Sequence, residues 1–518
     1  VKNVLSVDCG TQSLRAFLIN EHGKILKKAQ MAYKPYFSKK PGWAEQNPLV
    51  YWNAFVKSVR SIVDSAEPNE IHSIQAITVT SQRATMVVVD ENGEPLRDAI
   101  VWLDQRRANF DVHIPFLKNV GYKLVGMDEA IKIAQSEAKI NWIRQNEPHI
   151  FRKAHKFLFL SGYLIYKLTG RFVDSNASQV GYLPFDHKKG TWADPNDIKS
   201  LIFPVSRGKL VDLVKPSQIL GELKNDAADI LHLPSKMPVI ASASDKSCET
   251  LGVGAITEDF ASLSFGTTAT IQVTTQKYFE PIKYMPSYVA AIPGYYNPEV
   301  EIFRGFWMVK WFKEEFGSEE VQKAMEKGVN PEELMDDFLR EVPPGSLGLV
   351  VQPYWTPGLK MPEAKGAIVG FGSMHTRAHV YKAIVEGLGY ALLDGKLKIE
   401  RVGKIKIKKL AVSGGGAQSN QVCQIISDIF NLPVYRGETH ESSSLGAAID
   451  AFVGLGVHST FQEGVGKMVR YAKIFNPNEK NAEIYSKIFN EIYRHMYDHL
   501  KPLYKKMKSH VKYPKQEE

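Results

Sequence analysis

Small, hydroxyl-bearing and acidic residues recur in this 518-residue chain at spacings that suit phosphate chemistry. The first group, Asp8-Cys9-Gly10-Thr11-Gln12-Ser13, lies between the apolar residues Val4, Leu5, Val7 and Leu14, Ala16–Ile19. Gly10 lets the backbone approach a ligand closely, and Thr11 and Ser13 set hydroxyl and N–H donors at a turn tip, where phosphate oxygens need them. Asp8 offers a hard oxygen suited to Mg²⁺, directly or through water. An ordinary hairpin with a polar tip has the same composition, so the turn is weak evidence alone. Its layout returns, however, in Ala261–Val273, where Leu263 and Phe265 lead to Gly266-Thr267-Thr268 and Ile271 and Val273 follow. Laying Gly10 over Gly266 puts Thr11 on Thr267 and Asp8 on Ser264, so the metal-side carboxylate belongs to the first copy only.

A third group is Ser413-Gly414-Gly415-Gly416 with Asn420, ahead of a helix expected over Gln421–Phe430. Gly415 and Gly416 suit close approach of backbone to a nucleotide, and the Asn420 amide suits an adenine edge. A tight strand–helix crossing would need the same glycines. On the sugar-facing side, Gln82-Arg83 follows the apolar run Ile74–Val79, and Trp102 and Asp104 follow Ala99. Open sheets bind ligands at strand ends, and a sugar needs a flat apolar surface beside donors and acceptors. A surface salt-bridge patch is the plainer alternative. Trp43 and Glu45 reach the same region or anchor a Pro-Gly loop. Asp245, which follows the strand expected over Pro238–Ala243, has the N-cap of a helix as its commonplace role.

The elements that must hold these groups form two strand–turn–strand units about half a chain apart, as two related domains flanking a cleft would give. The division falls after Gly252–Gly254, into 1–254 on the sugar and phosphate side and 255–518 on the nucleotide side. Residues 129–169 read as mainly helical, with Gly170 as a C-cap. Phe303–Phe316 reads as a helix with Trp307 and Trp311 in the core. The run Glu441–Ala448 starts a helix small enough to pack closely, and Ile484, Ile488, Ile492 and Met496 mark an amphipathic helix near the end.

With 44% hydrophobic and 23% charged residues, the composition is that of a globular protein. No apolar run reaches the length of a membrane span and the opening twenty residues lack the pattern of a signal peptide, so a cytoplasmic enzyme is expected. Cys9, Cys248 and Cys423 are far apart and suit small buried positions rather than disulfides or zinc. The net charge of +9 owes much to Lys501–Glu518, with six lysines against two glutamates, which reads as a solvated tail and not as a nucleic-acid surface. Neither G-x-x-x-x-G-K-[ST] nor G-x-G-x-x-G occurs, which disfavours P-loop and dinucleotide folds.

The run Asp8-x-Gly10-Thr11-x-Ser13-x-Arg15, the Gly266-Thr267-Thr268 turn and Ser413–Gly416 together resemble the FGGY carbohydrate kinases, from about residue 3 to about 455. The resemblance implies an α/β fold of two duplicated ribonuclease H-like domains of the actin, hexokinase and Hsp70 group, ATP and Mg²⁺ as cofactors, and a homodimer. It implies ATP contacts from Gly10, Thr11, Gln12, Ser13, Arg15, Gly266, Thr267, Thr268, Gly415, Gly416 and Asn420, with Asp8 toward the metal. A sugar pocket of Gln82, Arg83, Trp102, Asp104, Asp245 and Lys246 follows, with Asp245 as catalytic base. The implied activity is phosphorylation of a small ketose or polyol, xylulokinase-like in the first instance. Glycerol kinase and an autoinducer-type sugar kinase are the alternatives within the family, and a non-catalytic nucleotide-dependent regulator lies outside it. Gly162 before Tyr163 departs from the xylulokinase pattern, and Ala84 and Lys246 depart from the glycerol enzymes, which carry Glu and Gln there.

Overall fold

The computed structural model describes residues 2–109, 127–329, 331–356, 361 and 363–511. Both phosphate-suited segments form antiparallel hairpins: Asn3–Cys9 with Ser13–Asn20, and Phe260–Phe265 with Ala269–Gln272. Every residue of Asn3–Cys9 is buried, which is why its apolar residues run on instead of alternating strictly with polar ones.

Among the described residues each hairpin lies in a six-stranded sheet. The first runs in the order Ile219–Glu222, Pro238–Ala241, Ile74–Ser81, Asn3–Cys9, Ser13–Asn20, Ile25–Ala32. The second runs Tyr471–Phe475, Val434–Gly437, Lys409–Ser413, Phe260–Phe265, Ala269–Gln272, Glu299–Ile302. Strand directions match across the two, with three antiparallel strands, two further strands parallel to the first of these, and an antiparallel edge. Chain order differs only at that edge, where Ile219–Glu222 precedes its neighbour and Tyr471–Phe475 follows its own. The two polar turns, Gly10–Gln12 and Gly266–Thr268, therefore occupy equivalent places.

Two helices join the halves. Asp245–Gly252 packs on Ser442–Gly454, and the contact is close enough that a Cβ on Gly446 would lie 1.9 Å from the Cys248 carbonyl oxygen. The small residues of Glu441–Ala448 thus do what their size suggests. A separate four-stranded sheet of Glu45–Gln46, Ala99–Ile100, Met86–Val89 and Lys156–Phe159 carries the Trp102 segment. Residues 128–169 are mainly helical, with helices Asp128–Glu137, Lys139–Asn146, Pro148–Lys153 and Leu160–Thr169 and the strand Lys156–Phe159 before the last, which Gly170 ends at φ 70°. The three cysteines are buried and free. Among the described residues no helix is long and apolar enough to cross a membrane.

The C-terminal helix corrects one expectation. Tyr485, Phe489, Tyr493 and Met496 face the core, while Ile484 and Ile492 are exposed. The aromatic residues one position on from the isoleucines take the buried face, at ordinary helical spacing through a π-turn over Phe489–Tyr493. Residues 512–518 of the basic tail lie outside the described residues.

Candidate functional site

The first turn closes with the Gly10 N–H donating to the Ser13 carbonyl at 3.0 Å, and the Tyr33 hydroxyl donates to the Gly10 carbonyl at 2.6 Å. Thr11 Oγ1 donates to Gln82 Oε1 and accepts from Trp102 Nε1, both at 3.0 Å. Phosphate-suited and sugar-suited residues are therefore one bonded unit. Among the described residues the amides of Thr11, Gln12, Thr267 and Thr268 make no backbone hydrogen bond, and the space where a Gly415 Cβ would sit is open. Free N–H groups on two turns at equivalent places in the two sheets, with an open glycine on a third, are a donor set that fits a nucleotide's phosphates.

Asp8 is buried and ion-paired with Arg15, which also bonds Glu441 of the second half at 2.6 Å. No cluster of three or more metal-ligating side chains occurs among the described residues, so Mg²⁺ held near Asp8 would draw most of its ligands from phosphate and water. The second turn is laced to the start of the segment read as a helix over Phe303–Phe316, which begins at Trp307: the Phe306 N–H donates to the Gly266 carbonyl at 3.0 Å and its ring stacks on Phe265. Gly414, at φ 83°, lies against the Phe265 backbone, and a Cβ there would approach it to 2.8 Å. Asn420 is exposed at the start of its helix, capped by Ser419.

Asp245 opens the helix that joins the halves, its carboxylate accepting from the Lys246 N–H at 2.8 Å and lying 3.9 Å from Arg83 Nε. Burial pushes its carboxyl up to about 6, against the pull of Arg83 and Lys246. Its side chain keeps 27% exposure, so a substrate hydroxyl can reach it. Arg83 stands over the Tyr288 ring at 4.7 Å, donates to Ser244 Oγ and pairs with Glu299 at 3.0 Å.

Two sugar-side residues sit differently from expectation. The Asp104 side chain is 1% exposed, bonded bidentately to Arg106 at 2.8 Å and to the Ala44 N–H at 2.6 Å. Arg106 also pairs with Glu45 and lies between Trp43 and Trp142, so Asp104, Glu45 and Trp43 brace the wall beneath Trp102. Lys246 is engaged as well: its ammonium donates to Glu249 at 2.8 Å and to Ser264 Oγ at 2.6 Å.

Sequence reading missed Ser244, Tyr288, Glu249, Glu299, Glu301 and Glu441. The signal for two of them was present in the strand Glu299-Val-Glu-Ile302, whose period-two acids place one polar face opposite a core face of Val300 and Ile302. Because the Arg83–Glu299 pair ties the halves together, Arg83 is more than a one-ligand contact. Arg83→Ala is expected to raise the KM for sugar about 10- to 100-fold, the scale of a lost charged hydrogen bond. Glu299→Gln is expected to raise the KM values for sugar and ATP together by a smaller common factor. Steady-state kinetics of both variants separates the roles; a Glu299→Gln effect on one substrate alone would remove the bridge from the closure.

Family models described as the N-terminal and C-terminal domains of the FGGY family of carbohydrate kinases match residues 3–252 and 261–455. A xylulose kinase of Lactococcus lactis subsp. lactis is 28% identical over 492 residues, 94% of each chain. A glycerol kinase of Thermococcus gammatolerans is 29% identical over 489 residues, 92% of this chain and 93% of its own. The solved xylulose kinase of Rhodospirillum rubrum superposes with a TM-score of 0.83 over 97% of this chain and 100% of its own, at 24% identity.

Proposed function

Because this chain belongs to the FGGY family of carbohydrate kinases, with that family's two-domain actin-like ATPase fold and ATP-dependent activity, we propose that it phosphorylates a hydroxyl of a small ketose or polyol and that Asp245 is its base. The observation carrying this reading is the Asp245 carboxylate itself: partly exposed, at a helix N-terminus between the two halves, with its pKa held at about 6. Phosphoryl transfer asks a protein mainly for alignment and charge stabilisation, and an alcohol nucleophile must also shed its proton. Asp245 takes that proton, while Arg83 and Trp102 orient the sugar. Thr11, Ser13, Thr267 and Thr268 hold the phosphates, and Gly415, Gly416 and Asn420 hold the nucleoside. Asp8 would hold Mg²⁺ directly or through water, and the ion when bound would offset phosphate charge. The site works in the cytoplasm, and sugar binding closes it against water, since an open kinase would hydrolyse ATP.

The xylulokinase-like substrate is favoured by Ala84, whose methyl group supplies no hydrogen-bond partner where the glycerol enzymes place a hydroxyl-binding Glu. A site lacking that partner loses its grip on a three-carbon chain. Expected kcat/KM is higher for a five-carbon ketose or a four- to six-carbon polyol than for glycerol. A coupled-assay comparison of xylulose, ribulose, erythritol and glycerol tests this, and a clear preference for glycerol would promote glycerol kinase in its place.

A further inference from the structure

The second sheet turns a polar face toward the Asp245 helix. Ser262, Ser264, Thr270, Gln272, Glu299 and Glu301 share it by strand register, Ser264 opposite Thr270 opposite Glu301, and Ser262 opposite Gln272 opposite Glu299. Most of these partners are found: Lys246 donates to Ser264 and Gln272 donates to the Lys246 carbonyl at 3.0 Å. Glu299 takes Arg83. Four atoms stay buried without a partner among the described residues, Ser262 Oγ, Thr270 Oγ1, Gln272 Oε1 and, facing them from the first half, Arg83 Nη2. The half-buried Glu301 has no hydrogen bond on its carboxylate among the described residues, although Glu299, Arg83, Lys246 and Asp245 all lie near enough to act on its charge. Burial and the adjacent Glu299 push it up to about 7.

Unpaired buried polar groups in a cleft mark where a ligand's own groups belong. A sugar hydroxyl both donates and accepts, so a free acceptor at Glu301 and a free donor at Arg83 Nη2 match one hydroxyl or a neighbouring pair. An anionic sugar meets a different wall. Asp245, Glu299 and Glu301 line it; the charge of Arg83 is already matched by Glu299 and that of Lys246 by Glu249, so the free Arg83 N–H is a donor without surplus positive charge. Lys139, beyond Ala84, sits beside Glu137 and Asp104 and burial draws its ammonium down to about 8. Resting on the kinase reading above, we propose that Glu301 is a specificity-determining residue that binds a substrate hydroxyl and restricts this enzyme to neutral ketoses and polyols, excluding aldonates.

The test compares kcat/KM for the best neutral substrate with that for the aldonate of equal carbon number at pH 8, where Glu301 is mainly ionised, in the parent, Glu301→Gln and Glu301→Asp. The parent is expected to favour the neutral sugar by at least about 100-fold, since an uncompensated carboxylate is costly to desolvate against like charge. Glu301→Gln should narrow that ratio at least ten-fold, mainly by lowering the KM for the aldonate, whereas Glu301→Asp, which keeps the charge, should retain it. An unchanged ratio in Glu301→Gln, or a parent that prefers the aldonate, overturns the role of Glu301 while leaving the kinase reading intact. Turnover of neither class in the parent overturns both, and is seen before any variant is made.

Discussion

Asp245→Asn is expected to lower kcat about 10²- to 10⁴-fold, the range contributed by a positioned base, while the affinities for ATP and sugar stay within a few-fold of the parent. The amide keeps the shape and can still meet the Lys246 N–H, yet it cannot take a proton. The neighbours make the variant a clean one. Removing the charge leaves Arg83 on Glu299 and Lys246 on Glu249, so no buried cation is stranded and the melting temperature should move little. The parent's rate should also depend on pH through the same group. Below about 6 the carboxyl is protonated and kcat/KM falls roughly ten-fold per unit; above it the rate levels off. Asp245→Asn should lose that limb. Single-turnover measurement across pH decides the matter, and a variant with near-normal kcat would overturn the base.

How much of this was legible in the sequence follows from which residues face which constraint. Gly10 and Gly266 were readable because a tight turn between two buried strands admits few residues, and both hairpins form, Cys9 pairing with Leu14 in the first and Phe265 with Ala269 across a connection one residue shorter in the second. Asp104 was misplaced because an acid after a strand has one composition whether it meets a ligand or a neighbour. Only the fold puts Arg106 between Trp43 and Trp142 and so commits Asp104 to it. Glu299 and Glu301 escaped because alternating acids on a strand ordinarily mean a solvated face. Here that face is closed by the other half of the chain, through a contact between residues 216 positions apart.

Asp8→Ala separates a structural from a catalytic role for the most buried acid of the first turn. Its partner Arg15 is 31% exposed on its side chain and keeps Glu441, so the pair's loss should cost about 1–2 kcal/mol, below the range for a stranded buried charge. The activity loss is expected to be much larger, about 10²-fold or more in kcat/KM for Mg²⁺-ATP, because among the described residues no group of three or more metal-ligating side chains stands ready to support the metal instead. The Mg²⁺ concentration for half-maximal rate should rise with it. Asp8→Asn refines the comparison: the amide oxygen still accepts from Arg15, so stability is largely restored, but the ligand charge is gone and the Mg²⁺ defect should persist. Thermal melts and Mg²⁺ titrations on both variants give two independent readouts. A rate and titration in Asp8→Asn that match the parent would make Asp8 a strut for Arg15 and Glu441, leaving phosphate and water to hold the metal alone.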